Sequence, residues 1–199
     1  MRIGLIVAAL VAALAIPVGL LVGRGTASAD FRGSEPPDGL TMPSFELRDD
    51  RGIAVRSADL RGKAVAITFL DARCTEACPI IAAQVAQAVN AMHDDRGSID
   101  ALAVSVDPVD DTPRRVETFL RRYRAKGTLR YLDGSVGELR PVWKAFAIAS
   151  AYDTGAANMH SAPVRVYDRK GRWRSTLHPG VDLTAPNLAH DLREALKSS

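Results

Sequence analysis

The seven residues AVAITFL at 64–70 constrain this chain more than any other stretch. A β-branched, uncharged run of strand length, apolar at odd and even positions alike, must be covered on both faces, which happens to a strand at the centre of a layered sheet. The next segment supplies a cover. Pro79 suits the first turn of a helix, and Ile81, Val85, Val89 and Met92 recur at spacings of four, four and three, which predicts an amphipathic helix.

The alternation then repeats. ALAVSV (101–106) predicts a second buried strand, and TPRRVETFLRRYRAKG a helix opening at Pro113 with an apolar stripe of Val116, Phe119, Leu120 and Tyr123. LRYL (129–132) is a short strand, and Val136, Leu139, Val142, Trp143 and Phe146 mark the next helix. APVRVYD (162–168) and RWRSTL (172–177) flank a turn at Lys170–Gly171, and a last helix carries Leu188, Leu192 and Leu196. Upstream, FELRDDRGIAVRSADLRGK predicts a short hairpin with turns at 50–52 and 61–62. Strands alternating with helices predict an α/β, thioredoxin-like domain: a mainly parallel sheet with an antiparallel hairpin and helices on both faces.

The N-terminus is of another kind. Ile3 to Gly23 runs for 21 residues without a charge, which as a helix spans roughly 30 Å, the thickness of a bilayer core. Arg2 and Arg24 flank it, and the charge balance leans towards a cytoplasmic N-terminus. Ala27-Ser28-Ala29 offers a signal-peptidase site, but the apolar run exceeds the usual core of such a peptide, so residues 1–24 are expected to be a single-pass transmembrane anchor rather than a cleaved signal. Residues 25–41, rich in Gly, Ser, Pro and Asp, are expected to be a flexible linker, and 42–199 the exported domain, on the outer face of the cytoplasmic membrane. With 26 basic and 23 acidic side chains the net charge is only +3, which excludes a global polycation built for nucleic acid.

Both cysteines of the chain, Cys74 and Cys78, fall in CTEACP, where the first buried strand hands over to its helix. A thiolate there is stabilised by unpaired amides and the positive end of the helix dipole, so position predicts reactive sulfur. Three uses compete. A disulfide staple closing so small a loop stabilises by about 2 kcal/mol, against about 5 kcal/mol for a 100-residue loop, and does little for a domain with its own core. A thiol–disulfide couple fits, although redox pairs usually have two intervening residues and this one has three. A soft-metal site fits as well, since two thiolates suit copper(I) or zinc, but it needs a third ligand. Of the four histidines, His93 ends the first helix, His178 follows the hairpin and His190 lies on the polar side of the last helix, all readable as surface residues. His160 stands in a loop just before a strand, the loop that a thioredoxin-like fold turns towards the cysteines.

CTEACP (74–79), SVDPVDDTP (105–113) and HSAPVRVYDRKG (160–171), with the upstream FELRDDRGIAVRSADLRGKAVAITF, resemble in order and separation the Sco/SenC family of membrane-anchored copper chaperones for cytochrome c oxidase assembly. The resemblance spans residues 42–198. It implies copper bound by Cys74, Cys78 and His160 and delivered to the oxidase subunit carrying the binuclear copper centre, with other copper chaperones or thiol reductants as further partners. Three departures stand out. Thr75 replaces the usual proline after the first cysteine, Phe69-Leu70-Asp71-Ala72-Arg73 replaces FGYTxC, and Met159 replaces an aspartate before the histidine. Losing that aspartate alters the setting of His160, and Met159 is most simply a packing residue. Asp107 and Asp111 match the family, and their local role is architectural: Asp111 or Thr112 is expected to cap the helix that Pro113 opens.

The sequence therefore points to a binding and delivery protein without turnover on a small substrate. The alternative is a thiol–disulfide oxidoreductase keeping the oxidase copper-site cysteines reduced, with Cys74 and Cys78 as its redox-active pair. A peroxidase has only the cysteines in its favour.

Overall fold

The computed structural model describes residues 30–149, 152 and 162–198. The expected anchor, and with it the question of a membrane span, lies outside them; among the described residues no helix is long and apolar enough to cross a membrane.

Strands β1 (Glu46–Asp49) and β2 (Ala54–Arg56) form the expected hairpin, and β3 (Ala64–Leu70) coincides with AVAITFL. Helix α1 (Ala77–Asn90), β4 (Ile99–Ser105), α2 (Pro113–Arg122), β5 (Arg130–Asp133) and α3 (Val136–Ala145) come next along the chain. The chain closes with β6 (Val164–Tyr167), β7 (Trp173–Leu177) and α4 (Ala185–Lys197). The strands make one sheet in the order β2-β1-β5-β4-β3-β6-β7.

Burial on both faces holds for β3, every residue of which is buried. Ala64, Ala66 and Leu70 join a core under α1, α2 and α4, while Val65, Ile67 and Phe69 join a second core under α3 that also takes Leu47, Val55 and Leu60. Each large apolar side chain so covered contributes roughly 1.5–3 kcal/mol relative to exposure. Helices therefore cover both faces, as expected. The mainly parallel sheet is corrected: only β3–β4 and β4–β5 are parallel, whereas β1–β2, β1–β5, β3–β6 and β6–β7 are antiparallel. Antiparallel flanks need only to pair, so a hairpin can be added to either edge without a crossover helix, and an apolar-run reading does not sense direction.

Part of the segment expected to be a linker is docked. A compact unit begins at Phe31, and the backbone of Ser34 and Thr41 bridges to Thr176 of β7 and to Arg172 just before it. The amides of Arg32 and Gly33 donate to the buried carboxylate of Asp191 at 2.7 and 3.1 Å. Gly33 is required by this close approach, since a Cβ there would stand 2.6 Å from the Thr176 carbonyl oxygen.

Candidate functional site

The cysteine loop leaves β3 at Leu70 and is shaped by its own first residue. The Asp71 carboxylate accepts the Arg73 amide at 2.6 Å and its carbonyl accepts the Cys74 amide at 3.1 Å, a turn that Asp and Asn form through their short side chains. Asp71, one of the departures from the family pattern, thus presents Cys74. Helix α1 opens at Ala77, two residues before Pro79, so Cys78 sits inside the first turn and Cys74 ahead of it. Cys74 is half-buried and Cys78 fully buried against the α1 core, both as free thiols and within hydrogen-bonding reach of each other. Burial pushes the Cys78 thiol far above its usual range, aided by the neighbouring Cys74, and an amide of Asp71 offsets only part of that. The expectation that helix position alone makes both sulfurs reactive is corrected for Cys78: desolvation outweighs the dipole. Cys74 is the accessible sulfur.

Beneath the loop lies a polar cluster. Asp111 does not cap α2; Thr112 does, accepting the Arg115 amide at 3.4 Å. Asp111 turns inward, accepting the Ala72 amide at 2.8 Å, the Ser105 hydroxyl at 2.6 Å and the Tyr131 hydroxyl at 2.7 Å. One carboxylate therefore ties the cysteine loop to β4 and β5. Its donors among the described residues are all neutral, and burial lifts its pKa to about 6. Asp107 makes a second tie: Arg73 of the loop donates to one oxygen at 2.6 Å and Tyr152 to the other at 2.8 Å. The Tyr152 ring stacks on Trp143, 5.7 Å between centroids, and Trp143 donates to the Ser105 carbonyl at 2.8 Å. Sequence reading gave Asp107 and Asp111 an architectural role but missed this network, whose partners Tyr131, Trp143 and Tyr152 are distant in sequence.

His160 and Met159 lie outside the described residues, so the structure brings together two of the three expected copper ligands, Cys74 and Cys78. Among the described residues no group of three or more His, Cys, Asp or Glu side chains could hold a metal, so a dithiol site here needs a donor from elsewhere. His93 and His178 are exposed, as expected. His190 is half-buried, with its Nδ1 enclosed and without a hydrogen-bond partner, rather than a surface residue.

A seven-stranded mixed sheet with helices on both faces and a cysteine pair at the central strand-to-helix junction defines a thioredoxin-like domain. Residues 34–197 match the family model described as SCO1/SenC, and the chain belongs to that family. A SCO2-like protein of Rickettsia typhi is 26% identical over 156 residues, covering 75% of each chain. Among solved structures, Bradyrhizobium japonicum ScoI with copper bound is 25% identical, covering 79% of this chain and 100% of its own, with a TM-score of 0.63. BsSco, described as a member of the Sco family of cytochrome c oxidase assembly proteins and as carrying a disulfide switch, is 19% identical, covering 83% of this chain and 99% of its own, with a TM-score of 0.67.

Proposed function

We propose that this protein is a copper metallochaperone, tethered to the cytoplasmic membrane by its N-terminal apolar segment, with its domain on the outer face. It holds copper through Cys74, Cys78 and His160 and hands it to the binuclear copper centre of cytochrome c oxidase. The observation that carries the reading is the contact between a half-buried and a buried thiol at the mouth of a rigid strand–helix junction. Two converging sulfurs suit copper(I), and an imidazole from the segment before β6 completes a three-coordinate set that is shallow enough to release its metal. The copper-bound ScoI relative supports the choice of ion.

Reduced full-length protein is expected to bind stoichiometric copper(I), with His160→Ala weakening it strongly while leaving disulfide exchange at Cys74 intact. Copper binding indifferent to His160 would sink the site. Both cores and the Asp111 cluster are complete without metal, so a chelator is expected to leave the circular dichroism spectrum unchanged; unfolding on chelation would contradict this. Sequencing the N-terminus of the mature protein tests the anchor.

A second reading, thiol–disulfide exchange, is favoured by the unequal burial of the pair. The Cys74 thiolate would attack a partner disulfide, and the Cys78 sulfur would then displace the partner's thiolate. The partner leaves reduced, Cys74 and Cys78 leave as a disulfide, and a thiol reductant resets them. Full activity of His160→Ala in reducing the oxidase copper-site cysteines, together with unimpaired oxidase assembly, would favour this reading over copper delivery.

A further inference from the structure

Helix α2 carries Arg114, Arg115 and Arg122 on exposed positions that face the cysteine loop. Together with Arg73, Cys74 and Tyr123 they line a groove of about 590 Å³ that has no acidic residue in its wall among the described residues. The charges are not equivalent. Arg73 pairs with Asp107 and Asp110 at 2.6 and 2.9 Å, and Arg115 with Asp110 at 2.5 Å. Arg114 and Arg122 have no carboxylate partner among the described residues; the Arg122 guanidinium lies only against the Tyr123 ring, 5.8 Å from its centroid. On the other side of the same helix Glu117 takes Arg121 at 2.5 Å and also Lys126, so cations there are neutralised. The uncompensated positive charge of α2 is thus collected on the side where the one accessible thiol opens.

We propose that this groove is the docking surface for an acidic polypeptide segment of the protein that exchanges copper or thiols with Cys74. The proposal needs Cys74 to be the exchanging group, and so rests on either reading of the function. Charge complementarity selects the occupant: a cationic concavity with an aromatic wall attracts a carboxylate-bearing segment and suppresses basic ones. Shape selects a polypeptide over a membrane surface, because a plane of headgroups does not enter a concavity to reach a half-buried sulfur, and it would press against Asp107 and Asp110 as well.

The test uses the full-length reduced protein and two short peptides, each with a single cysteine activated as a pyridyl disulfide, one flanked by glutamates and the other by lysines. The Cys74 thiolate attacks the activated disulfide, forming a mixed disulfide and releasing pyridinethione, whose absorbance gives the rate. At low ionic strength the acidic peptide is expected to react about tenfold faster than the basic one. High salt is expected to erase the difference, and the double variant Arg114→Glu/Arg122→Glu to invert it. Arg114→Gln/Arg122→Gln, which only removes charge, should bring the two rates together and guards against a folding effect of reversal. Equal rates for the two peptides, or a preference that survives both double variants, would overturn the proposal. So would equal rates combined with protection of Cys74 by phosphatidylglycerol vesicles but not by phosphatidylcholine vesicles, which would assign the groove to lipid headgroups. The assay is run without copper and its readout does not depend on metal binding by His160, so normal copper loading with equal peptide rates defeats the docking surface alone.

Discussion

Asp49 and Asp111 are both buried, at 5% and 1% exposure, yet their carboxyl groups are driven in opposite directions. Burial alone would raise Asp49 as well, but the Arg51 and Arg130 guanidiniums at 2.9 and 3.1 Å and the amides of Arg51 and Ile53 hold it below the usual carboxylate range. Asp111 meets only two hydroxyls and one amide, and rises to about 6. Exposure therefore does not decide the charge of a buried acid; the charge of its donors does. Asp49 secures a turn at the sheet edge, where a guanidinium can reach from solvent. Asp111 lies under the cysteine loop, closed in by β4 and β5, where its donors among the described residues are neutral and the nearby charge, Asp71, has its own sign.

Breaking the Asp111 cluster should have the largest effect. Asp111→Ala leaves the Ser105 hydroxyl and the Ala72 amide without their acceptor in a buried site, and a loss of about 3 kcal/mol is expected in urea unfolding. A loss under about 1 kcal/mol would mean that the loop is held by other means.

A pH titration of stability separates the two acids by the sign of their shifts. Because the folded pKa of Asp111 is raised from 3.8 to about 6, its protonation contributes stability that is fully present below the unfolded value and lost as pH rises through about 6. Relative to Asp111→Asn, the wild type is therefore expected to gain about 2 kcal/mol as pH falls from about 7 to about 4. Asp49 runs the other way. Its lowered pKa contributes stability present above the ordinary value of 3.8 and lost as pH falls below that. Parallel pH profiles for the Asp111→Asn and Asp49→Asn variants would erase the contrast.

Asp107→Asn keeps the shape but weakens the tie to Arg73. Since groups that orient ligands typically change metal affinity by 10- to 100-fold, copper(I) affinity is expected to fall about tenfold with stability nearly unchanged. Unchanged affinity would leave Asp107 as architecture only. The smallest effect is expected for Asp49→Asn at neutral pH, about 1 kcal/mol in thermal unfolding, because Arg51 and much of Arg130 can turn to water when their partner is weakened.

Much of this was legible in the chain. AVAITFL matches β3 residue for residue, because a strand buried on both faces must be apolar throughout. The stripe of Ile81, Val85, Val89 and Met92 is buried, because a helix against a sheet records its contact every third or fourth residue. Proline at 113 marked the start of α2 for the same local reason. The cysteine pair and its place at a strand-to-helix junction were likewise visible.

What only the tertiary structure decided involves partners distant in sequence. Strand direction outside the central three is set by which edges pair, not by composition. The inequality of Cys74 and Cys78 comes from the core packed over α1, which buries one sulfur and leaves the other at a groove. Of the two capping candidates Asp111 and Thr112, Thr112 takes the cap and Asp111 faces inward, because Ser105, Tyr131 and Ala72 converge on it from three separate segments. Phe31 to Thr41 reads as a polar linker, yet a carboxylate from α4 and the edge of β7 hold it. Periodicity reports whether a side chain is covered, which is a local property; which charge or hydrogen bond covers it depends on contacts that exist only once the chain has folded.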